Sequence, residues 1–134
     1  MSGIRIKDAA ELLGVSDDTV RRWIEAGSLT AHKDEFGRKV IDGEVLAAFA
    51  REARRSPRDP VGVASSARNR FVGLVTKVTT DAVMAEVQMQ CGPFSVVSLM
   101  SAESANELGL APGTVAVAVV KATTVIVETP GGTS

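Results

Sequence analysis

Ser65-Ser66-Ala67-Arg68-Asn69 and, far downstream, Lys121-Ala122-Thr123-Thr124 bracket one segment of the chain. Between them the sequence takes on a period of two. Phe71 to Thr79 is strand-like, and Val83, Ala85, Val87 and Met89 alternate with Met84, Glu86, Gln88 and Gln90, as in a strand with one buried face. Cys91-Gly92-Pro93 turns the chain and Phe94 to Met100 returns. Ser101 caps a short helix ended by Leu108-Gly109, and Pro112-Gly113 supplies a type II turn. Val115–Val120 and Val125–Val127 complete the set. About five strands and one short helix predict an OB-like small β-barrel. Val115–Val120 is apolar on both faces, more than one buried face requires, so it is expected to meet a second subunit.

If the first and last strands are neighbours, the two bracketing segments converge. Their hydroxyls, backbone N–H groups, Arg68 and Lys121 are all donors, and neither segment holds a carboxylate. An anion leaving water needs donors to replace its hydration. The chemistry is that of a small oxyanion site.

Upstream the composition changes. Residues 1–60 carry eleven Lys/Arg and eleven Asp/Glu, whereas residues 61–134 carry four and five. The shift predicts a charged domain over 1–55, a linker over 56–64, an apolar domain over 65–130 and a tail over 131–134. Each domain is near the lower size limit for an independent core, so oligomerisation would help the second. The net charge of −1 does not by itself announce nucleic acid or membrane. One cysteine, Cys91, and one histidine, His32, exclude an intrachain disulfide and a cysteine- or histidine-rich site for a metal cation. Cys91 reads as structural and His32 as a surface residue. No signal peptide or run of membrane-spanning length is present, so a soluble cytoplasmic protein without a membrane partner is expected. No nucleophile, base or metal triad suggests an enzyme, and no organic cofactor is implied.

In the front half, Ile4, Ala9, Ala10, Leu12 and Leu13 recur at helical spacing up to Gly14. Ser16 caps a second helix with Val20, Trp23 and Ile24 on or beside its apolar face, ended by Gly27. Residues 29–33 and 38–41 read as a hairpin around Phe36-Gly37. Asp42 is expected to cap a third helix with Val45, Leu46 and Phe49 inside. Two short helices joined by Gly-Val-Ser make a helix-turn-helix candidate.

The front half resembles the winged helix-turn-helix of the MerR and excisionase type. The resemblance lies in Ile4 to Ser16, Thr19-Val20-Arg21-Arg22-Trp23-Ile24, Gly27-Ser28-Leu29 and the hairpin before Asp42. It implies binding to double-stranded DNA, with Thr19, Arg21 and Arg22 presented by the second helix and Lys33, Arg38 and Lys39 by the wing. The back half resembles the Mop domain, the molbindin or TOBE-type molybdate-binding family. The residues are Ser66 to Val75, Leu108-Gly109-Leu110-Ala111-Pro112-Gly113 and Val120 to Val127. This implies a molybdate or tungstate oxyanion held between subunits by Ser66, Ala67, Arg68, Lys121, Ala122 and Thr123, with Ser101 adding a hydroxyl. Thr123 stands where the family commonly has serine, keeping the hydroxyl and adding a methyl. The family also implies a homo-oligomer built by the back half, a hexamer favoured over a dimer. An α+β two-domain protein that regulates transcription in response to the anion is the leading expectation. A molybdate storage or buffering protein is one alternative. An excisionase-like architectural DNA protein, its barrel used only to oligomerise, is the other.

Overall fold

The computed structural model describes residues 3–53 and 58–130. The chain divides into two compact units, residues 1–55 and 56–134. Of the expected linker, residues 56–57 lie outside the described residues, as does the whole tail at 131–134.

The first unit runs β1 (Gly3–Arg5), α1 (Ile6–Leu13), α2 (Asp17–Glu25), β2 (His32–Lys33), β3 (Lys39–Asp42) and α3 (Gly43–Ala53). Its three strands form an antiparallel sheet in the order β1-β3-β2. Ile4 was expected in the first helix. It lies instead in β1 opposite Ile41, because the sheet gives it a ladder partner and a place against the core. Gly14 ends α1 in the left-handed region, at φ 71°, where a side chain would be strained. The Ser16 hydroxyl accepts the Thr19 N–H at 3.1 Å and so starts α2. Ala9, Ala10, Val20, Leu29, Ile41 and Leu46 form the core, with Trp23 and Phe49 packed against it. Those two rings are 4.8 Å apart between centroids.

Leu29 and Asp42 also depart from the positions expected of them. Leu29 belongs to the core rather than to a strand, because the amides of Ser28 and Leu29 close onto the Trp23 carbonyl at the end of α2. The first wing strand therefore begins only at His32. Asp42 lies in β3, and its carboxylate is taken by His32 Nε2 at 3.3 Å instead of capping α3. The wing turn is made by Asp34, whose carboxylate accepts the N–H groups of Phe36 and Arg38.

The second unit runs β4 (Asn69–Thr80), β5 (Met84–Cys91), β6 (Phe94–Ser101), α4 (Ala102–Glu107), β7 (Val115–Val120) and a 3₁₀ turn, Ala122–Thr124. The sheet is antiparallel throughout, in the order β6-β5-β4-β7. The long strand β4 serves two partners. Asn69 to Leu74 pair with β7, and Leu74 to Thr80 pair with β5 across an irregularity between Val75 and Lys77. A strand shared in this way curls the sheet into an OB-like half-barrel around Val75, Val87, Met89 and Cys91. Gly73 permits the curl: a Cβ there would lie 2.3 Å from the Gln90 carbonyl oxygen and 2.7 Å from Cys91 Sγ. The alternation expected of β5 is present, with Ala85, Val87, Met89 and Cys91 buried.

The expected last strand, Val125–Val127, is absent. The 3₁₀ turn after Lys121 takes the chain off the ladder, and Ile126 and Val127 are 84% and 83% exposed. The sheet thus has four strands, and the barrel is half closed. Ser101 caps α4 as expected, accepting the Ser104 N–H at 3.0 Å. Among the described residues no helix is long and apolar enough to cross a membrane.

Candidate functional site

Pairing of β4 with β7 brings the two donor-bearing segments to the same end of the sheet. Asn69 lies opposite Val120, and its side-chain amide donates to the Val120 carbonyl at 3.1 Å. Arg68 and Lys121 are the residues directly outward from this last pair. The Ser65 hydroxyl accepts the Ala67 N–H at 3.1 Å, bending the segment just before β4, and Ala67 is buried. Ser66, Arg68, Lys121, Ala122 and Thr123 are exposed.

Lys121 is extended, and its carbonyl accepts both the N–H and the hydroxyl of Thr124, at 3.0 and 2.8 Å. That closes the 3₁₀ turn and leaves the N–H groups of Ala122 and Thr123 at its head. Like those of Ser66 and Arg68, they have no acceptor among the described residues. Free amides at the start of a turn, with two cations beside them, suit an anion. Ser101 is not brought to this cluster within one chain. It pairs with Met84 beyond the far end of β4, and β4 spans 12 residues, roughly 35 Å along the strand.

One pair at this end of the sheet has no signal in the sequence. Arg70 Nε donates to Asp59 Oδ2 at 2.8 Å. Arg70 Nη2 is enclosed and has no partner among the described residues. Asp59 Oδ1 also accepts the Val61 N–H at 2.8 Å. The hydrogen bond from Arg70, then that from Val61, hold the Asp59 carboxyl below its usual range. Arg70 falls inside the quoted motif, but nothing local in the sequence tells that Asp59 reaches it.

The candidate DNA-facing residues lie on two elements of the first unit. On α2, the Thr19 hydroxyl sits 2.9 Å from that of Ser16 and accepts from Arg22 Nη2 at 3.1 Å. Arg21 lies 3.5 Å from Asp18 in an exposed pair, which contributes little to stability. In the wing, Lys33 lies directly opposite Lys39. Like charges facing across a ladder destabilise it, and a phosphate between them would reverse the sign. Arg38 pairs with Asp34 at 3.4 Å and stacks over Phe36 at 5.0 Å. His32, read only as a surface residue, has its imidazole between Asp42 and the Lys33 carbonyl. The Asp42 hydrogen bond, followed by the Lys33 carbonyl, raises its pKa above the usual value.

Among the described residues no group of three or more His, Cys, Asp or Glu could hold a metal ion. Cys91 is free and buried, and burial pushes its thiol pKa up.

Comparison with known proteins divides the chain in the same way. Residues 4–54 match the helix-turn-helix domain family and residues 65–127 the TOBE domain family. A molybdate-binding protein from Sporomusa ovata is 30% identical, over 50% of this chain and 100% of that one, with a TM-score of 0.48. MopII from Clostridium pasteurianum is 36% identical over 49% of this chain and 100% of its own, with a TM-score of 0.46. The cytoplasmic molybdate-binding protein ModG, solved with molybdate bound, is 42% identical over 48% of this chain and 46% of its own, with a TM-score of 0.45. No curated protein matches the chain.

Proposed function

We propose that this chain, which matches the helix-turn-helix domain family over residues 4–54 and the TOBE domain family over residues 65–127, is a transcriptional regulator that binds double-stranded DNA in response to molybdate or tungstate. The observation that carries the anion half of this reading is the Asn69–Val120 pairing. It brings the ends of the two segments together, which supports reading Ser66, Arg68, Lys121, Ala122 and Thr123 as one set of donors without a carboxylate of its own, with Ala67, whose N–H is taken by the Ser65 hydroxyl, shaping the segment between them. The DNA half rests on α2, with Thr19, Arg21 and Arg22, and on the wing, with Lys33, Arg38 and Lys39. The two matched domains are binding domains, and the reading assigns the protein no catalytic step. The anion is its ligand, no organic cofactor is needed, and its place is the cytoplasm.

The reading includes self-association. Phe71, Leu74, Val115, Val119, Val125, Ile126 and Val127 are large apolar residues left exposed on the second unit, and Ser101 lies at the far end of the sheet from the other anion residues. A second copy would cover the first set and bring its own Ser101 to the cluster. A hexamer is favoured, and a dimer would satisfy the same geometry. A storage or buffering protein remains the second reading, because every candidate anion residue lies in the second unit. Isothermal titration with molybdate, tungstate, sulfate and phosphate, followed by gel shifts on genomic fragments with and without the bound anion, tests both. Regulation requires selective metal-oxyanion binding and a DNA affinity that moves with it; anion binding without any DNA binding means storage.

A further inference from the structure

β4 carries Arg70 one residue from its end, opposite Val119 of β7. Arg68 and Lys121 lie just beyond the last paired residues of the two strands, Asn69 and Val120, at the same end of the sheet. Arg68 and Lys121 have no carboxylate partner among the described residues, whereas Arg70 is held by Asp59 at 2.8 Å.

The way Arg70 is held is incomplete. A guanidinium facing a carboxylate commonly donates through two nitrogens at once, but among the described residues Arg70 donates through Nε only, and its Nη2 is enclosed and unpartnered. Arg70 and Asp59 are 23% and 33% exposed in their side chains, so the pair is shielded more than an ordinary surface ion pair. An enclosed donor without an acceptor has a standing unfavourable cost that a second acceptor would remove. Asp59 is itself a small oxyanion supplied by the chain. Its other oxygen holds the Val61 amide, so the ion pair fastens the opening stretch of the second unit onto β4.

We propose that Asp59 is an internal competitor for the oxyanion: a bound molybdate draws Arg70 onto itself through the unpartnered Nη2, Asp59 is released, and the stretch from Arg58 to Val61 comes free of β4. This rests on the oxyanion reading of Ser66–Arg68 and Lys121–Thr123. It adds a route by which occupancy reaches the DNA-binding unit, because this stretch lies at the start of the second unit, a few residues along the chain from the first. The released carboxylate and the incoming dianion repel each other, so the two states of the stretch are separated by charge as well as by contact.

The test uses the full chain and molybdate itself. Titration calorimetry on wild type, Asp59→Asn and Asp59→Glu should show molybdate binding at least threefold more tightly to Asp59→Asn, with Asp59→Glu within twofold of wild type. In parallel, molybdate should speed tryptic cleavage after Arg58 in wild type, while Asp59→Asn should be cut quickly with or without the anion. Molybdate binding with unchanged affinity in Asp59→Asn, or a wild-type cleavage rate indifferent to the anion, overturns the latch and leaves the oxyanion site standing. No molybdate binding by wild type overturns the site and the latch together.

Discussion

Lys121 is a charged side chain of the candidate anion cluster, at the end of β7 and directly before the free amides of Ala122 and Thr123. Hydrogen bonds to charged groups contribute roughly 1.5–3 kcal/mol each, and a decade in affinity is about 1.4 kcal/mol. Lys121→Ala is therefore expected to weaken molybdate binding about tenfold or more in calorimetry. Thr123→Ser, which keeps the hydroxyl, should change it little. Equal binding by wild type and Lys121→Ala would remove Lys121 from the site. His32 makes a second prediction possible at this scale. It is the only histidine, so its titration can be followed as a single pair of imidazole resonances. The Asp42 hydrogen bond favours the charged ring, so the midpoint should lie above the usual value of about 6.5 and fall back toward it in Asp42→Asn. The stabilisation from this pair is present below the unfolded midpoint and is lost as pH rises through the higher folded one. Both partners are about half exposed, so the effect on overall stability will be small.

At the scale of the element, β4 depends on Gly73. A methyl there meets backbone, the Gln90 carbonyl and the Cys91 Cα, and not only a movable side chain. Gly73→Ala should then cost about 3 kcal/mol or more, at the upper end of overpacking effects, and should lower the denaturant midpoint of the second unit while sparing the first. A variant as stable as wild type would show that the β4–β5 approach is looser than this geometry. For α2, Arg21→Ala/Arg22→Ala should abolish sequence-specific gel shifts with helicity retained, because the Ser16 cap and the Val20 anchor are untouched. Arg38→Ala and Lys39→Ala should weaken binding to all sequences alike and flatten its salt dependence. Specific shifts that survive the double substitution would move the recognition surface elsewhere.

The molecule as a whole leaves much apolar surface uncovered in its second unit. Leu74, Val115 and Val119 on the sheet and Ile126 and Val127 beyond it are all exposed, and at this size such a unit gains from covering them. Sedimentation at micromolar concentration should show an oligomer, and Ile126→Lys/Val127→Lys should shift it toward monomer. Molybdate should raise the thermal midpoint of the assembly by mass action, with sulfate doing so poorly. A monomeric wild-type chain would reject the assembly without touching the fold.

Much of this was legible in the sequence because it is governed by neighbours along the chain. The Ser16 and Ser101 caps, the stops at Gly14 and Gly27, and the alternation through Met89 all depend on local geometry and on periodicity. The jump in charge density between the halves needed only counting. What the sequence could not decide was settled by pairing at a distance. Ile4 left the helix for β1 because Ile41 offered it a ladder partner. Asp42 turned from helix cap to histidine partner because β2 and β3 bring His32 beside it. Val125–Val127 has the composition of a strand but follows a turn that carries it off the sheet, so β propensity went unanswered. The Asp59–Arg70 pair joins positions 11 residues apart that no periodicity relates. Local chemistry was written residue by residue in this chain, and the partners of its charged and strand-forming groups existed only once the sheets had formed.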